Sequence, residues 1–161
     1  MKNILLLFFL FFTNHTIAQV NSIMPAQANT FYENAMSSIK PDIKNLIEKN
    51  ANKLRGRKVD VDSLVNALHK SELLRRGTEN DLESITVLIL VQASKYADAD
   101  LKILVINLTH SKSKQNDETE KEISKNKTEL ILSNKSDIAQ SVSFIMKKIS
   151  GSPEMVVDKF K

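Results

Sequence analysis

Residues 82–108 decide the fold, and they read LESITVLILVQASKYADADLKILVINL. Aliphatic side chains surround nearly the whole of a helix drawn through residues 85–97, and a second such block covers residues 99–108. A helix that is apolar all round is buried in a protein core or in a membrane. Charged residues near the middle of the stretch make a membrane span costly. We therefore expect two central helices, the second beginning at Asp98 or Asp100.

The same stretch has a second reading as two buried strands. Residues 86–91 and 103–108 are rich in β-branched side chains, which are enriched in strands. The flanking residues favour helices, and no Gly, Pro or Asn-Gly turn separates the two blocks. We predict helices and hence an all-α fold with its core in residues 30–110. It is a small bundle of about five to six helices with a charged linker and a C-terminal amphipathic helix.

The composition of the whole chain narrows the function classes. Its 161 residues are 42% hydrophobic and 26% charged, as in one ordinary globular domain. The absence of cysteine excludes a disulfide framework, a thiolate metal site and a thiol nucleophile. Three glycines cannot supply a glycine-rich phosphate loop. We therefore expect no cofactor.

Proline and glycine mark the ends of the first helices. After a flexible leader over residues 19–29, Thr30 is expected to cap a helix over residues 31–39. Pro41 is typical of the first turn of the next helix, which we expect to end at a glycine cap, Gly56.

A third helix is expected to begin at Asp60 or Asp62. Apolar residues then recur at spacings of three and four, which is typical of an amphipathic helix. We expect this helix to end at Arg75-Arg76, with Gly77 as its cap.

The first eighteen residues are typical of a secretory signal peptide. Lys2 supplies one positive charge, residues 4–12 are uninterruptedly apolar, and Thr16 and Ala18 suit the positions that a signal peptidase reads. The apolar block is shorter than the roughly 20 residues that a membrane span needs. We expect cleavage after Ala18 and export to the periplasm or the extracellular space.

The C-terminal part divides into a charged segment and an amphipathic helix. Residues 111–129 contain a single aliphatic residue, Ile123, and equal numbers of basic and acidic residues, which indicates a charged linker or an exposed helical extension. Residues 130–161 carry a helix capped by Ser136 and a short apolar tail, and the stripe of the helix skips one position, Lys135. The stripe consists of Ile131, Ile138, Val142, Ile145 and Ile149.

Histidine is the usual acid–base and metal-binding residue, so each histidine is a candidate. His69 and Glu72 lie three residues apart, a spacing at which two side chains share a helix face. A zinc site needs three or four ligands, and the sequence shows no third one with them. We expect His69 and His110 to lie at helix ends, where a cation is favoured.

Two pairs of carboxylates are spaced two residues apart, Asp60 with Asp62 and Asp98 with Asp100. Such a pair can hold a hard cation or serve as the two carboxylates of a glycosidase. Neither pair lies in an EF-hand loop, and the chain has no Trp to form a sugar platform. We expect helix capping, and we assign no catalytic, cofactor-binding or metal-ligating residue.

The net charge of +4 raises the question of nucleic acid binding. The basic residues form small clusters at expected helix ends, without interleaved aromatic residues. We therefore exclude nucleic acid as a binding partner. An anionic surface or an acidic partner stays open. The clusters are Arg55, Arg57 and Lys58; Arg75 and Arg76; and Lys147 and Lys148.

Together these features predict an exported, non-catalytic protein-interaction module whose partner is another exported or envelope protein. Two alternatives stay open. One is a small hydrolase that uses carboxylates or His69. The other is a membrane-surface binder that uses residues 131–149, with Lys147 and Lys148, as an amphipathic helix. The sequence leaves the oligomeric state undetermined.

Overall fold

The computed structural model describes residues 24–74, 79–111 and 118–149. Over these residues the fold is all-α, as predicted, and holds no strand, so the strand reading of residues 86–91 and 103–108 is wrong. The predicted signal peptide and the C-terminal tail lie outside the described residues. The described helices are α1 (Ala26–Ser38), α2 (Pro41–Leu54), α3 (Val61–His69), α4 (Glu79–Ser111) and α5 (Glu118–Ile149), with a 3₁₀ turn at Glu72–Leu74.

α1 begins earlier than the sequence predicts. Its first residue, Ala26, follows Pro25, whose ring holds φ near the helical value, at −55°. Thr30 is therefore not a cap, because its hydroxyl donates to the carbonyl oxygen of Ala26 at 3.2 Å, one turn back inside the helix. The predicted leader over residues 19–29 accordingly overlaps the first turn of α1.

The start and the end of α2 are as predicted. Pro41 is its first residue and Leu54 its last. Gly56 follows with a φ of +68°, the left-handed conformation that glycine adopts most easily. The buried side of α2 carries Ile43, Ile47 and Ala51 at four-residue spacing.

α3 is shorter than predicted. The carboxylate of Asp60 caps its start, but the helix ends at His69 rather than at Arg75-Arg76, and the expected cap Gly77 lies outside the described residues. α3 buries two leucines four residues apart, while the next in-phase positions are polar. Extending α3 would therefore bury no further apolar side chain. The chain instead forms the 3₁₀ turn, which buries its last residue, Leu74.

α4 is the central helix, and it is continuous. It runs from Glu79 to Ser111, about 50 Å at 1.5 Å per residue, without a break at residues 98–100. The predicted helix start at Asp98 or Asp100 is therefore wrong. α1, α2, α3 and α5 all pack against α4. Its buried aliphatic side chains include Leu82, Ile85, Val87, Leu88, Ile89, Leu90 and Val91.

α5 lies antiparallel to α4. Lys148 Nζ lies 3.4 Å from Glu83 Oε1, near the start of α4, whereas Lys135, earlier in α5, pairs with Asp98, later in α4. The predicted amphipathic stripe is confirmed as the buried face of α5. Its buried members are Ile138, Val142, Ile145 and Ile149, and Ile131 is half-buried.

The start of α5 differs from the prediction. Ser136 is not a cap, because the helix already begins at Glu118 and Ser136 lies in its interior. Residues 118–129 are helical, which fits the exposed helical extension rather than an irregular linker. The expected helix end at Gly151 and Pro153 lies outside the described residues.

The buried hydroxyl of Ser84 in α4 provides a test of the bundle core. Among the described residues, its hydroxyl is the buried side-chain oxygen that has no hydrogen-bond partner. Replacement by alanine removes this hydroxyl and supplies a better helix former. We expect Ser84→Ala to raise the free energy of unfolding by about 1 kcal/mol, measured by urea denaturation. A loss of stability would show that the hydroxyl is satisfied.

Candidate protein-interaction surface

α4 and α5 extend past the end of α2. Arg55, the residue after α2, donates from Nε to Asp100 Oδ2 at 2.7 Å, and its Nη2 contacts the other carboxylate oxygen. α4 continues beyond Asp100 to Ser111, and the antiparallel register places this part beside the first part of α5. We call residues 101–111 and 118–131 the distal section.

In the distal section, α4 keeps one face against α5 and exposes others. Leu101, Leu104 and Leu108 are half-buried and share one helix face. Ile103 and Ile106, by contrast, are 53% and 54% exposed. The prediction of a second buried block is therefore wrong for these positions, because no helix of the described chain covers them.

Ile103 and Ile106 lie on the side of α4 that α1 covers earlier in the helix, at Gln92 and Lys95. Ile103 follows Gln92 by eleven residues, and Gln92 accepts a hydrogen bond from the Tyr32 hydroxyl of α1. Ile106 follows Lys95 by eleven residues, and Lys95 pairs with a glutamate of α1. Eleven residues make about three helical turns, so each isoleucine repeats the direction of its counterpart.

α5 contributes two more exposed aliphatic side chains. Ile123 and Leu130, 49% and 48% exposed, lie seven residues apart and so near one line along the helix. Ile123 precedes Asn134 by eleven residues, and the Asn134 amide donates to the backbone carbonyl of Arg57, just after α2. At about 100° per residue, Ile103 and Ile106 lie on the side of α4 opposite α5, so the two α5 side chains form a separate pair. We name Ile103 and Ile106 the distal aliphatic surface.

Sequence reasoning missed these exposed side chains, because it assigned Ile103 and Ile106 to the core and Ile123 to a charged segment. Exposed aliphatic residues are ordinary when single, whereas neighbouring ones on one helix face are typical of an interaction site. The helix lengths in the structure explain the exposure on α4: α1 and α2 have 13 and 14 residues, whereas α4 has 33. Helices that short cannot cover α4 along its whole length.

Charged residues flank the α5 pair Ile123 and Leu130. Arg57 and Lys58 are exposed where the Arg57 carbonyl meets Asn134. Glu122 is exposed next to Ile123.

Asp98 and Asp100 form ion pairs that link α4 to other parts of the chain. Asp98 pairs with Lys135, which is only 3% exposed, and Asp100 with Arg55. The hydrogen bond from Arg55 to Asp100 raises the pKa of the Arg55 guanidinium. The expected capping role is therefore wrong for these two carboxylates, which join α4 to α5 and to the end of α2.

For Asp60 the expected capping role is confirmed. Its carboxylate accepts from the Ser63 backbone N–H at 3.0 Å and from the Ser63 hydroxyl at 2.8 Å. These hydrogen bonds, the backbone one most, lower the pKa of Asp60 below its ordinary value. Asp62 lies exposed in the first turn of α3, where the positive helix end favours a carboxylate.

We expect Ser63→Ala to move the pKa of Asp60 part of the way back up, because only the backbone hydrogen bond remains. The folded-state pKa is lowered, so ionised Asp60 stabilises the fold above its unfolded-state pKa, and this contribution is lost as pH falls through the folded-state value. An NMR titration of the carboxyl carbons in both proteins measures the shift. An unchanged pKa in the variant would show that the hydroxyl bond contributes nothing.

His69 and His110 both lie in the last turn of a helix. His69 is exposed as the last residue of α3, at a helix end as expected, and Glu72 is exposed in the 3₁₀ turn. His110 falls in the last turn of α4. Among the described residues, no group of three or more His, Cys, Asp or Glu could hold a metal ion.

The C-terminal amphipathic helix has its apolar stripe turned inward against the bundle. Lys148 pairs with Glu83 and lies 4.9 Å from the centroid of the Phe144 ring. Within residues 24–74, 79–111 and 118–149, no helix has an apolar stretch long enough to cross a membrane.

The described geometry thus offers an exposed aliphatic surface on α4, formed by Ile103 and Ile106. Such a surface suits the apolar side of an amphipathic helix, whose anchors recur at three- and four-residue spacings. Comparison of the chain with protein-family models, with curated proteins and with solved structures finds no match.

Proposed function

We propose that this protein is an exported, non-catalytic interaction module whose distal aliphatic surface binds a helix of another polypeptide chain. One observation carries the proposal: Ile103 and Ile106 are each about half exposed on the side of α4 that α1 covers earlier in the helix. Removing such side chains from water is favourable in proportion to the apolar area covered.

The chemistry of the surface defines the partner helix. A helix laid along the distal section would continue the packing that α1 supplies against α4, with apolar residues facing Ile103 and Ile106. The N-terminal sequence, typical of a signal peptide, supports export to the periplasm or the extracellular space, and the proposed partner is accordingly an exported or envelope protein.

The two alternatives have less support. A carboxylate hydrolase needs an acid and a base that can change protonation state at the substrate. Asp98 and Asp100 are instead paired with Lys135 and Arg55. A membrane-surface helix needs a free apolar face, and the stripe of α5 is buried against the bundle.

A crosslinking pull-down tests the proposal. The tagged protein, crosslinked in the cells that make it, is compared with Ile106→Glu, which places a charge on the surface. Leu73→Glu is the matched control, because Leu73 is 49% exposed in the 3₁₀ turn, outside the surface. We expect the crosslinked product to disappear in Ile106→Glu and to persist in Leu73→Glu. The same product from all three proteins would contradict the proposal.

A further inference from the structure

We propose that residues 19–23 of this chain cover Ile103 and Ile106 until a partner helix displaces them. The inference rests on the proposed function, since it adds regulation to the same surface. Cleavage after Ala18, which the sequence predicts, leaves this segment on the chain. Two observations carry the inference: the direction in which α1 runs along α4, and the aliphatic residues that precede α1 in the sequence.

The direction of α2 is needed first, because a link of only two residues joins α1 to α2. α2 ends beside Asp100 of α4, which pairs with Arg55. The buried side chains of α2 share one core cluster with those of α4 before Asp100, so α2 runs parallel to α4. With 14 residues, α2 therefore starts near residue 86 of α4, and α1 ends there.

α1 therefore runs antiparallel to α4. Its end lies near residue 86 of α4, whereas its Tyr32 contacts Gln92 farther along. Ala26 precedes Tyr32 by six residues, and Asp98 follows Gln92 by six, so α1 begins at about the level of Asp98. Ala99, seven residues after Gln92 and so on nearly the same side of α4, is exposed. The part of α4 that α1 covers thus ends at this level.

The chain that precedes α1 reaches the helix at the edge of the distal aliphatic surface. Ile103 and Ile106 lie on the same side of α4, about 7.5 and 12 Å beyond Asp98. Pro25 has an extended backbone, with φ −55° and ψ 131°, and Met24 packs against the core. An extended chain spans about 3.3 Å per residue, so residues 20–23 are long enough to reach both isoleucines.

The composition of residues 19–23 suits this surface. They read QVNSI, with Val20 and Ile23 as the aliphatic residues and no charged side chain. Residues three apart share one side of a polyproline-type extended chain, which is the conformation of Pro25. Contact with Ile103 and Ile106 would remove apolar area from water on both sides. Attachment to α1 gives the segment a high effective concentration, while two anchors are few enough for a longer partner helix to displace them.

Engineered disulfides test the position of the segment, since the chain has no cysteine of its own. A disulfide requires Cα atoms within about 7 Å. Ile23→Cys is combined with Ile106→Cys or, as a control, with Val105→Cys. Val105 is 44% exposed and lies seven residues after Asp98, on the side of α4 that faces Lys135 of α5.

We expect mild oxidation at low protein concentration to close an intramolecular disulfide between positions 23 and 106 about tenfold faster than between positions 23 and 105. Circular dichroism should show that both double variants keep the helical fold. Equal rates for the two pairs, no disulfide at position 106, or linkage only between separate molecules would overturn the inference.

An apolar dye tests whether the segment controls access to the surface. Val20→Ser combined with Ile23→Ser should raise the fluorescence of bound anilinonaphthalene sulfonate about threefold, because this dye binds exposed apolar surface. Adding Ile106→Glu should remove the gain, and Asn21→Ser, in the same segment, should leave the fluorescence at the wild-type level. No gain in the doubly substituted protein would overturn the inference.

The failure of this inference and the failure of the proposed function give different results. If position 23 forms no disulfide but Ile106→Glu still abolishes a crosslink to another chain, the covering segment is wrong and the proposed function stands. If the disulfide forms and neither the wild type nor the protein with Val20→Ser and Ile23→Ser gives an Ile106-dependent crosslink, the segment covers the surface and the proposed function is wrong.

Discussion

Ala99→Pro should lower the free energy of unfolding by about 3 kcal/mol or more. Ala99 lies in the interior of α4 and is exposed, so the cost comes from the backbone and not from packing. Proline removes the N–H that bonds one turn back, and its ring clashes with the carbonyl of that turn. The measurement is urea denaturation followed by circular dichroism at the helix band.

The control is Ala99→Gln, which keeps a good helix former at the same exposed position and should change stability little. The Ala99→Pro substitution distinguishes a continuous α4 from the two helices that the sequence predicted. If a helix began at Asp98, residue 99 would be its first position, where proline is favoured. Full stability of Ala99→Pro would therefore contradict a continuous α4.

Ile89→Ala and Ile106→Ala should differ sharply, although both shorten the same side chain on the same helix. Ile89 is fully buried, so its truncation should cost about 2–5 kcal/mol through lost burial and the cavity left behind. Ile106 is 54% exposed, so its truncation should change the stability of the monomer by less than about 0.5 kcal/mol. Urea denaturation measures both.

An equal, large cost at both positions would show that Ile106 belongs to the core after all. A negligible cost at Ile89 would remove α4 from the centre of the bundle. A large cost at Ile89 and a small one at Ile106 would support the division of α4 into a buried first part and an exposed distal part.

Local sequence patterns were enough to predict much of the fold. The all-round apolarity of residues 85–97 predicted a central helix, and Pro41 and Gly56 marked the limits of α2. The stripe of α5 and the cap at Asp60 depend on neighbours within one or two turns. These features are decided by residues close in sequence, which is where periodicity and capping rules apply.

The remaining features depend on residues far apart in sequence. Asp98 and Asp100 look like helix caps in local sequence, and only Lys135 and Arg55, 37 and 45 residues away, make them ion-pair partners inside a continuous helix. The skipped position in the α5 stripe, Lys135, has the same explanation. Its side chain is buried and pairs with Asp98 of α4.

The candidate surface could not be predicted for a related reason. An apolar helix face looks the same in sequence whether the same chain or another chain covers it. For residues 99–108 the answer depends on how far α1 and α2 reach along α4, which is a property of the assembled fold. The exposure of Ile103 and Ile106 follows from that reach.

The central claim is that the distal aliphatic surface binds another chain, and site-specific photo-crosslinking tests it most directly. A benzoylphenylalanine replaces Ile106 in one protein and Gln140, which is exposed on α5 away from the surface, in another. After irradiation in the cells that make the protein, we predict a discrete crosslinked product from position 106 and none from position 140. No product from position 106, or equal products from both positions, would contradict the claim.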